Sequence, residues 1–278
     1  MFNIYSGELF KFFKRPFFWF FSAFVAVVFL IFFAVMMNAK QVENGVETYG
    51  LIKNLTFPLV YFSAIKFAAS LFSFCSLIMI SSIAGNEYGW NTFKTISTRG
   101  TGKLDFINTK FLAVLTYTIL FSVCGILILA GLASINQSEI LTHVQPTEDI
   151  SGWFAFLMFG IMLLGLLPYI SFGLMLTTLT KSSGVGIAIG LVYFIIGENI
   201  IQAFCFLLSG NIGEWLKEVP KYLPGNQLDS MMNLDTLSLL GGWEFLKDIS
   251  KSMLISLGYA VGFYAISVTV MKKRDILG

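Results

Sequence analysis

The chain alternates long apolar runs with short segments that hold most of its charged residues. Six runs carry at most one charged residue each: 17–37, 59–84, 111–135, 153–179, 182–208 and 252–271. An α-helix rises about 1.5 Å per residue, so about 20 apolar residues cross the hydrocarbon core of a bilayer. The pattern therefore predicts six transmembrane helices, which we number span 1 to span 6.

The composition supports this interpretation. Hydrophobic residues make up 56% of the 278 positions and charged residues only 12%, whereas a soluble domain has about 25% charged residues. So few charges do not cover a water-facing surface, which excludes a soluble enzyme, a nucleic-acid-binding domain and a disordered chain. We expect an all-α integral membrane protein with a single transmembrane domain over residues 1–278.

The distribution of Lys and Arg predicts the orientation, because basic residues collect on the cytoplasmic side of a membrane. Eleven basic and four acidic residues fall in segments 1–16, 85–110, 180–181 and 272–278. The loops 38–58, 136–152 and 209–251, counted together with Lys66, hold seven basic and 11 acidic residues. Both termini are therefore expected in the cytoplasm, and the loops 38–58, 136–152 and 209–251 are expected on the extracellular side of the membrane.

Residues 1–16 have an amphipathic pattern. One face carries Tyr5, Leu9, Phe12 and Phe13, and another carries Glu8, Lys11 and Arg15. Such a helix lies in the membrane interface, with its aromatic rings in the acyl boundary and its cations near the headgroups. We expect an N-terminal cytoplasmic interfacial helix. The alternative is an ordinary polar segment that precedes span 1.

The segment 85–110 combines an apolar ridge with cations. Trp90, Phe93 and Ile96 recur at three-residue spacing, close to Lys94 and Arg99. A short helix with such a ridge is suited to a groove on a partner protein. A solvated loop whose aromatic side chains anchor to lipid headgroups fits the same pattern, and the pattern does not decide between the two.

The segment 209–251 is too long for a plain connector. It contains two stretches that are typical of short helices, 214–219 and 243–251, with Trp215, Trp243 and Phe245 available for the membrane interface. We expect short extracellular helices between spans 5 and 6, either capping the mouth of a pathway or lying on the surface.

Glu198 is the deepest charged residue, within span 5. A carboxylate near the centre of a transmembrane helix costs about 2.5–3.5 kcal/mol on insertion scales, so it is expected to face a cavity or a partner. It is a candidate for a pathway or substrate contact, and the alternative is a hydrogen-bonded structural residue.

Two pairs of glycines predict close contacts between helices. Gly186 and Gly190 predict one in span 5, and Gly258 and Gly262 predict one in span 6.

No catalytic constellation is found in the sequence. The stretch 100–103, Gly-Thr-Gly-Lys, lacks the earlier Gly and the following Ser or Thr of a phosphate-binding loop. Three cysteines lie inside spans, and the single His143 gives them no metal-site spacing. We expect no enzymatic activity, cofactor or metal in this chain.

Four places resemble the membrane subunits (permeases) of type-2 ABC exporters. These are the amphipathic lead 8–15, the stretch 86–95 followed by Lys110, the tripeptide 222–224 and the closing tail 273–276. Together with six spans the resemblance extends over nearly the full length. Gly102 and Lys103 stand where the family more often has Ser-Arg.

The resemblance implies a pathway formed with a second permease, identical or paralogous, above two separate ATPase subunits that bind ATP and Mg²⁺. The residues that it places at the ATPase contact are Glu87, Trp90, Thr92, Phe93, Lys94, Ile96 and Arg99. Within this superfamily, the chain is most similar to the short six-span permeases without large domains, which export antimicrobial or amphipathic peptides from bacteria. The expected partners are thus an ATPase, a permease, lipids and an amphipathic substrate, and no nucleic acid.

Two other functions stay open. An ATP-independent secondary transporter or channel would favour several partnered charges within the membrane or inverted repeats, and the sequence has one deep carboxylate and no evident repeat. A non-transporting immunity or assembly protein would bind a toxin without an ATPase partner.

Overall fold

The computed structural model describes residues 2–38, 41–43, 46–48, 51–89, 102–143, 153–233 and 245–273. Six helices in these ranges are long and apolar enough to cross a membrane. The prediction of an all-α membrane protein with six spans is therefore confirmed.

Ten α-helices follow one another along the described residues. They are α1 (Phe2–Lys14), α2 (Pro16–Asn38), α3 (Leu59–Gly89), α4 (Lys103–Ile135), α5 (Gln137–His143), α6 (Trp153–Thr180), α7 (Ser183–Val192), α8 (Glu198–Ile212), α9 (Pro224–Met232) and α10 (Phe245–Lys273). Spans 1 to 4 are α2, α3, α4 and α6. Span 5 consists of α7, a π-helical segment Tyr193–Gly197 and α8, and span 6 is α10.

Short elements occupy the predicted outward loops. After span 1, the strands β1 (Gln41–Glu43) and β2 (Val46–Thr48) pair antiparallel, with Gln41 opposite Thr48, and a 3₁₀ turn follows at Ile52–Leu55. Between spans 5 and 6 lie two 3₁₀ turns, Glu214–Lys217 and Val219–Tyr222, and α9. The strand pair was not predicted. Of the two stretches predicted as short helices, 214–219 contains the 3₁₀ turn Glu214–Lys217, whereas residues 245–251 of the stretch 243–251 form the beginning of α10. The extracellular position of the short helices stays a prediction.

The helix α3 lies at the centre of the bundle. It packs along α6, α4 and α7, and α6 also packs along α10. Small side chains such as Ala68, Ala69, Ser76 and Ser81 are fully or almost fully buried on α3, and small residues let helices approach closely in a membrane. In the most apolar stretch of α3, 67% of the residues are buried, against 17% in spans 1, 5 and 6. Those three spans therefore present most of their apolar surface outward.

Several helices continue beyond the apolar runs that predicted them. The helix α3 extends to Gly89 and α4 begins at Lys103, because the backbone hydrogen-bond ladder of a span continues into polar residues outside the hydrocarbon. Helix therefore covers residues 85–89 and 103–110 of the predicted cytoplasmic segment, and residues 90–101 lie outside the described part of the chain.

Span 5 makes a close contact with its neighbours through glycine. A Cβ on Gly190 would lie 2.7 Å from the Leu77 side chain, and one on Gly186 would lie 2.9 Å from Oγ1 of Thr177. The predicted packing face of span 5 is thus present. Built in the same way, Gly258 and Gly262 of α10 meet no described atom within 4 Å, so no such close contact is seen in span 6.

The N-terminal helix α1 packs on α4. The Tyr5 hydroxyl lies 2.6 Å from Oγ1 of Thr116, and the Tyr117 hydroxyl donates to the Leu9 carbonyl at 2.8 Å. The rings of Phe12 and Tyr117 have centroids 4.2 Å apart. These contacts tie α1 to the first half of span 3.

This packing changes the expected faces of α1. Glu8, which the pattern placed on a polar face, is only 7% exposed and points into the protein, and Phe12 is buried against the protein rather than facing lipid. Phe10 and Phe13 are 61% and 43% exposed and remain free to contact lipid. The position of α1 in a membrane interface stays a prediction.

Candidate functional site

The residues expected at the ATPase contact lie mostly outside the described part of the chain. These are Trp90, Thr92, Phe93, Lys94, Ile96 and Arg99. Glu87 is described, on the last turn of α3, and is 3% exposed. Its carboxylate faces the protein interior.

Glu87 belongs to a buried ion cluster that also contains Glu8 and Lys110. The Lys110 ammonium donates to the carboxylates of both glutamates. Its side chain is 1% exposed, and the Phe106 ring lies 5.2 Å from the ammonium. Glu8 also accepts from Lys11 at 2.9 Å, near the surface. We call these four charged side chains the ion cluster.

The ion cluster joins three elements. Glu8 comes from α1, Glu87 from the end of α3 and Lys110 from the first part of α4, so the cluster joins the helix that precedes the segment 90–101 to the helix that follows it. Burial alone would raise the pKa of Glu8, but Lys110 and then Lys11 more than offset it, and its pKa lies below the ordinary 4.5. The carboxylate of Glu8 is therefore held in its charged form.

Glu198 lies towards the opposite end of the bundle, at the first position of α8 directly after the π-helical segment. Its side chain is largely buried, at 8% exposure. The Gly225 N–H donates to both of its carboxylate oxygens, at 3.2 Å to Oε1 and 3.1 Å to Oε2. Gly225 follows Pro224, the first residue of α9. Glu198 thus satisfies a free N–H at a helix N-terminus, where negative charge is favoured.

The close approach of Glu198 depends on the glycine. A Cβ on Gly225 would lie 2.2 Å from Oε2 of Glu198, so any other residue displaces the carboxylate or α9. The contact fixes α9, a helix outside the spans, to the middle of span 5.

Glu198 also borders a polar cavity of about 240 Å³ that we call the inner pocket. It is lined by Ser70, Ser73, Phe74, Tyr169, Phe194, Glu198, Asn199, Gln202, Gly225, Asn226, Leu228 and Asp229. The rings of Tyr169 and Phe194 stack with centroids 4.2 Å apart. The pocket therefore combines two carboxyl groups with aromatic surface.

A larger cavity of about 1010 Å³, the outer chamber, lies between α8, α9 and α10. Its lining is Asn199, Gln202, Ala203, Phe206, Lys217, Glu218, Pro220, Lys221, Tyr222, Asn226, Gln227, Ser230, Lys251, Ser252 and Ile255. The Lys251 ammonium donates to the Tyr222 hydroxyl at 3.2 Å. The predicted outward segment before span 6 supplies much of this wall.

Glu198 was predicted from the sequence, but the residues that surround it in the structure were not. Gly225 and Asp229 belong to α9, whose start has one usable signal, Pro224 at the first helical position. The π-helical segment carries no such signal. The pairing of Glu8, Glu87 and Lys110 was missed as well, although Glu87 and Lys110 stand just beyond the apolar runs of spans 2 and 3.

Among the described residues, no group of three or more His, Cys, Asp or Glu is placed to hold a metal ion.

The six spans define the class of this molecule: it is a multi-pass α-helical membrane protein. Residues 23–277 match the family described as "Protein of unknown function (DUF2705)", and the chain belongs to that family. No curated protein matches the chain.

Proposed function

We propose that the chain is the permease subunit of a type-2 ABC exporter in a bacterial plasma membrane. Separate ATPase subunits supply the energy, and a second permease, identical or paralogous, completes the pathway. An amphipathic or hydrophobic substrate, in first place a peptide, leaves the cell by alternating access. Both termini are cytoplasmic in this proposal, as the distribution of basic residues predicts.

The observation that carries the proposal is the ion cluster. In an ATP-driven exporter, a movement of the ATPase must pass through a cytoplasmic contact into the spans. The segment 90–101 contains most of the predicted contact residues, and the cluster ties the helices at both its ends to α1. A displacement of that segment would therefore move spans 2 and 3 together with α1.

The exposed faces of the outer spans support a second permease. Only 17% of the residues in the most apolar stretches of spans 1, 5 and 6 are buried. Large apolar side chains, among them Phe24, Ile196 and Phe204, are at least 45% exposed on these spans. Lipid covers part of such a surface, and a second permease would cover the part nearest the pathway.

The test is assembly with an ATPase. The tagged chain is expressed together with its neighbouring reading frames, purified in detergent and searched for a subunit that contains a Walker motif. We expect such a subunit, together with ATP hydrolysis. The double variant Trp90→Ala/Phe93→Ala is expected to abolish assembly, whereas Trp153→Ala, at an exposed aromatic on the opposite end, leaves it unchanged.

Unchanged assembly and unchanged ATP hydrolysis in the Trp90→Ala/Phe93→Ala variant would overturn the coupling role. Transport by proteoliposomes that contain the chain without an ATPase would instead support a secondary transporter. Binding of a toxin without transport would support an immunity protein.

A further inference from the structure

The inner pocket and the outer chamber adjoin, because Asn199, Gln202 and Asn226 line both. Their walls come from α3, α6, span 5, α9 and α10. We call the two cavities together the cleft. Its larger part has a volume near the top of the range of about 300–1,000 Å³ that is typical of ligand sites.

The two parts of the cleft carry different ionisable groups. Glu198 and Asp229 line the inner pocket, and no Lys, Arg or His is among the described residues of its lining. In the outer chamber three lysines face one glutamate, Glu218. Lys221 pairs with Glu218 at 2.7 Å and Lys217 with Glu214 at 3.4 Å. A bound ligand therefore meets two carboxyl groups inside and, outside, two paired lysines and a third lysine, Lys251.

The side-chain amides that line the cleft keep hydrogen-bonding capacity for a ligand. The amide nitrogens of Asn199 and Asn226 donate to backbone carbonyls, each at 2.7 Å. The amide nitrogen of Gln227 donates to the Lys221 carbonyl. Each of these amides is left with its carbonyl oxygen, a hydrogen-bond acceptor, and with one further N–H.

Gln227 gives independent evidence of a missing donor. Its side chain lines the outer chamber and the residue is only 4% exposed. Within the described residues, its Oε1 atom has no hydrogen-bond partner. A buried acceptor without a donor is destabilising, so an N–H group of a ligand that reaches this carbonyl is bound favourably.

The aromatic surface of the inner pocket favours a cation. Phe74, Tyr169 and Phe194 line the same space as the two carboxyl groups. A cation over an aromatic face is attracted by the negative charge of the ring face. An ammonium group satisfies the carboxylates and the rings at once.

We propose that the cleft binds a peptide segment with an ammonium group, from an N-terminus or a lysine, in the inner pocket. Neighbouring acidic or uncharged residues face the lysines of the outer chamber, and backbone N–H groups donate to the Asn and Gln carbonyls. An ethanolamine lipid also has an ammonium group, but it lacks the repeated N–H donors that these amides match. The inference rests on the proposed function, because it gives the substrate class of the site that contains Glu198.

The test is direct binding to the full chain purified in detergent, without any ATPase. The probe is a short synthetic peptide of Leu, Ser and Glu with a dye at its C-terminus, in one form with a free N-terminus and in another form acetylated. Fluorescence polarisation is expected to show about tenfold weaker binding of the acetylated form. Glu198→Gln and Asp229→Asn should each weaken binding of the free form and reduce the effect of acetylation.

Asp229 is exposed, so Asp229→Asn keeps the test valid if Glu198→Gln fails to fold. Glu139→Gln, at an exposed carboxylate on α5 that does not line the cleft, is the matched control and should change nothing. Equal affinity for the free and acetylated peptides, or unchanged affinity in Asp229→Asn, would overturn the inference. Displacement of the probe by lysophosphatidylethanolamine, at concentrations where unlabelled peptide has no effect, would assign the cleft to lipid and overturn it too. Because no ATPase is present, this result is separate from the assembly test.

Discussion

The ammonium of Lys110 donates to the carboxylate of Glu8, a residue 102 positions earlier in the chain. The same ammonium donates to Glu87 at the end of α3. One buried cation thus joins the N-terminal helix to the ends of two spans.

Removal of the central cation should destabilise the protein strongly. Lys110→Met leaves the buried carboxylates of Glu8 and Glu87 without their cation, and breaking a buried ion pair in this way costs about 3–5 kcal/mol. We expect a clearly lower thermal unfolding midpoint in detergent. Lys11→Met is the control: the Lys11 side chain is 51% exposed, and exposed pairs contribute about 0–1 kcal/mol.

A second variant separates lost charge balance from lost packing. In the triple variant Glu8→Gln/Glu87→Gln/Lys110→Met no buried charge remains in the ion cluster, and neutral replacements of a buried ion network are often tolerated. Its unfolding midpoint should lie well above that of Lys110→Met. Equal midpoints for the two variants would show that packing of the Lys110 side chain, and not its charge, holds the three helices together.

Acid should weaken the ion cluster through Glu8. Because Lys110 and Lys11 hold the pKa of Glu8 below its ordinary 4.5, the folded state favours the ionised carboxylate. This contribution is fully present above the ordinary pKa and is lost as the pH falls below 4.5 through the lowered value. Unfolding midpoints measured across this acidic range should fall less steeply in Glu8→Gln than in the wild type. Parallel curves would contradict the assignment.

A methyl group at position 225 should displace the Glu198 carboxylate from the start of α9. In Gly225→Ala the new Cβ would lie 2.2 Å from Oε2 of Glu198, so the carboxylate loses its contact with the helix N-terminus. We expect a loss of about 1–3 kcal/mol in the free energy of unfolding. The matched control is Gly258→Ala in α10, where a Cβ meets no described atom within 4 Å and alanine favours the helix by about 0.5–1 kcal/mol. A Gly225→Ala variant as stable as this control would disprove the close contact.

The turn between spans 4 and 5 is expected to tolerate glycine better than its native residue. Lys181 has a φ of 57°, in the left-handed region that costs a residue with a Cβ about 1–2 kcal/mol. Lys181→Gly removes this strain and adds about 0.5–1 kcal/mol of chain entropy to the unfolded state. We expect a small rise in the unfolding midpoint, and Lys181→Ala, which keeps the Cβ, should show no such rise.

The spans were predictable because a bilayer requires long apolar helices, and this requirement is visible in every run from 17–37 to 252–271. The partners of the few charges were not. Glu8 followed the amphipathic period of α1, yet burial beside Lys110 decided its direction. Its partner is 102 positions away, and no spacing rule connects them.

Glu198 shows the same division. Its depth in span 5 indicated a cavity or a partner, and the structure has both, the inner pocket and the Gly225 N–H. Its neighbour on α9 could not be found by periodicity, because it lies in a short helix outside the spans. The face on which Glu198 lies also depends on the π-helical segment, for which apolar sequence has no signature.

The π-helical segment Tyr193–Gly197 has a consequence for how the sequences of this family are to be compared. Each residue of an α-helix advances the direction of the next side chain by about 100°. A relative that lacks one residue between positions 193 and 197 would turn its counterpart of Glu198 away from α9 by about that angle, even with the same composition. We therefore expect family members with the same length of span 5 to keep the carboxylate at the cleft. Members with a different length are expected to line the cleft with other residues.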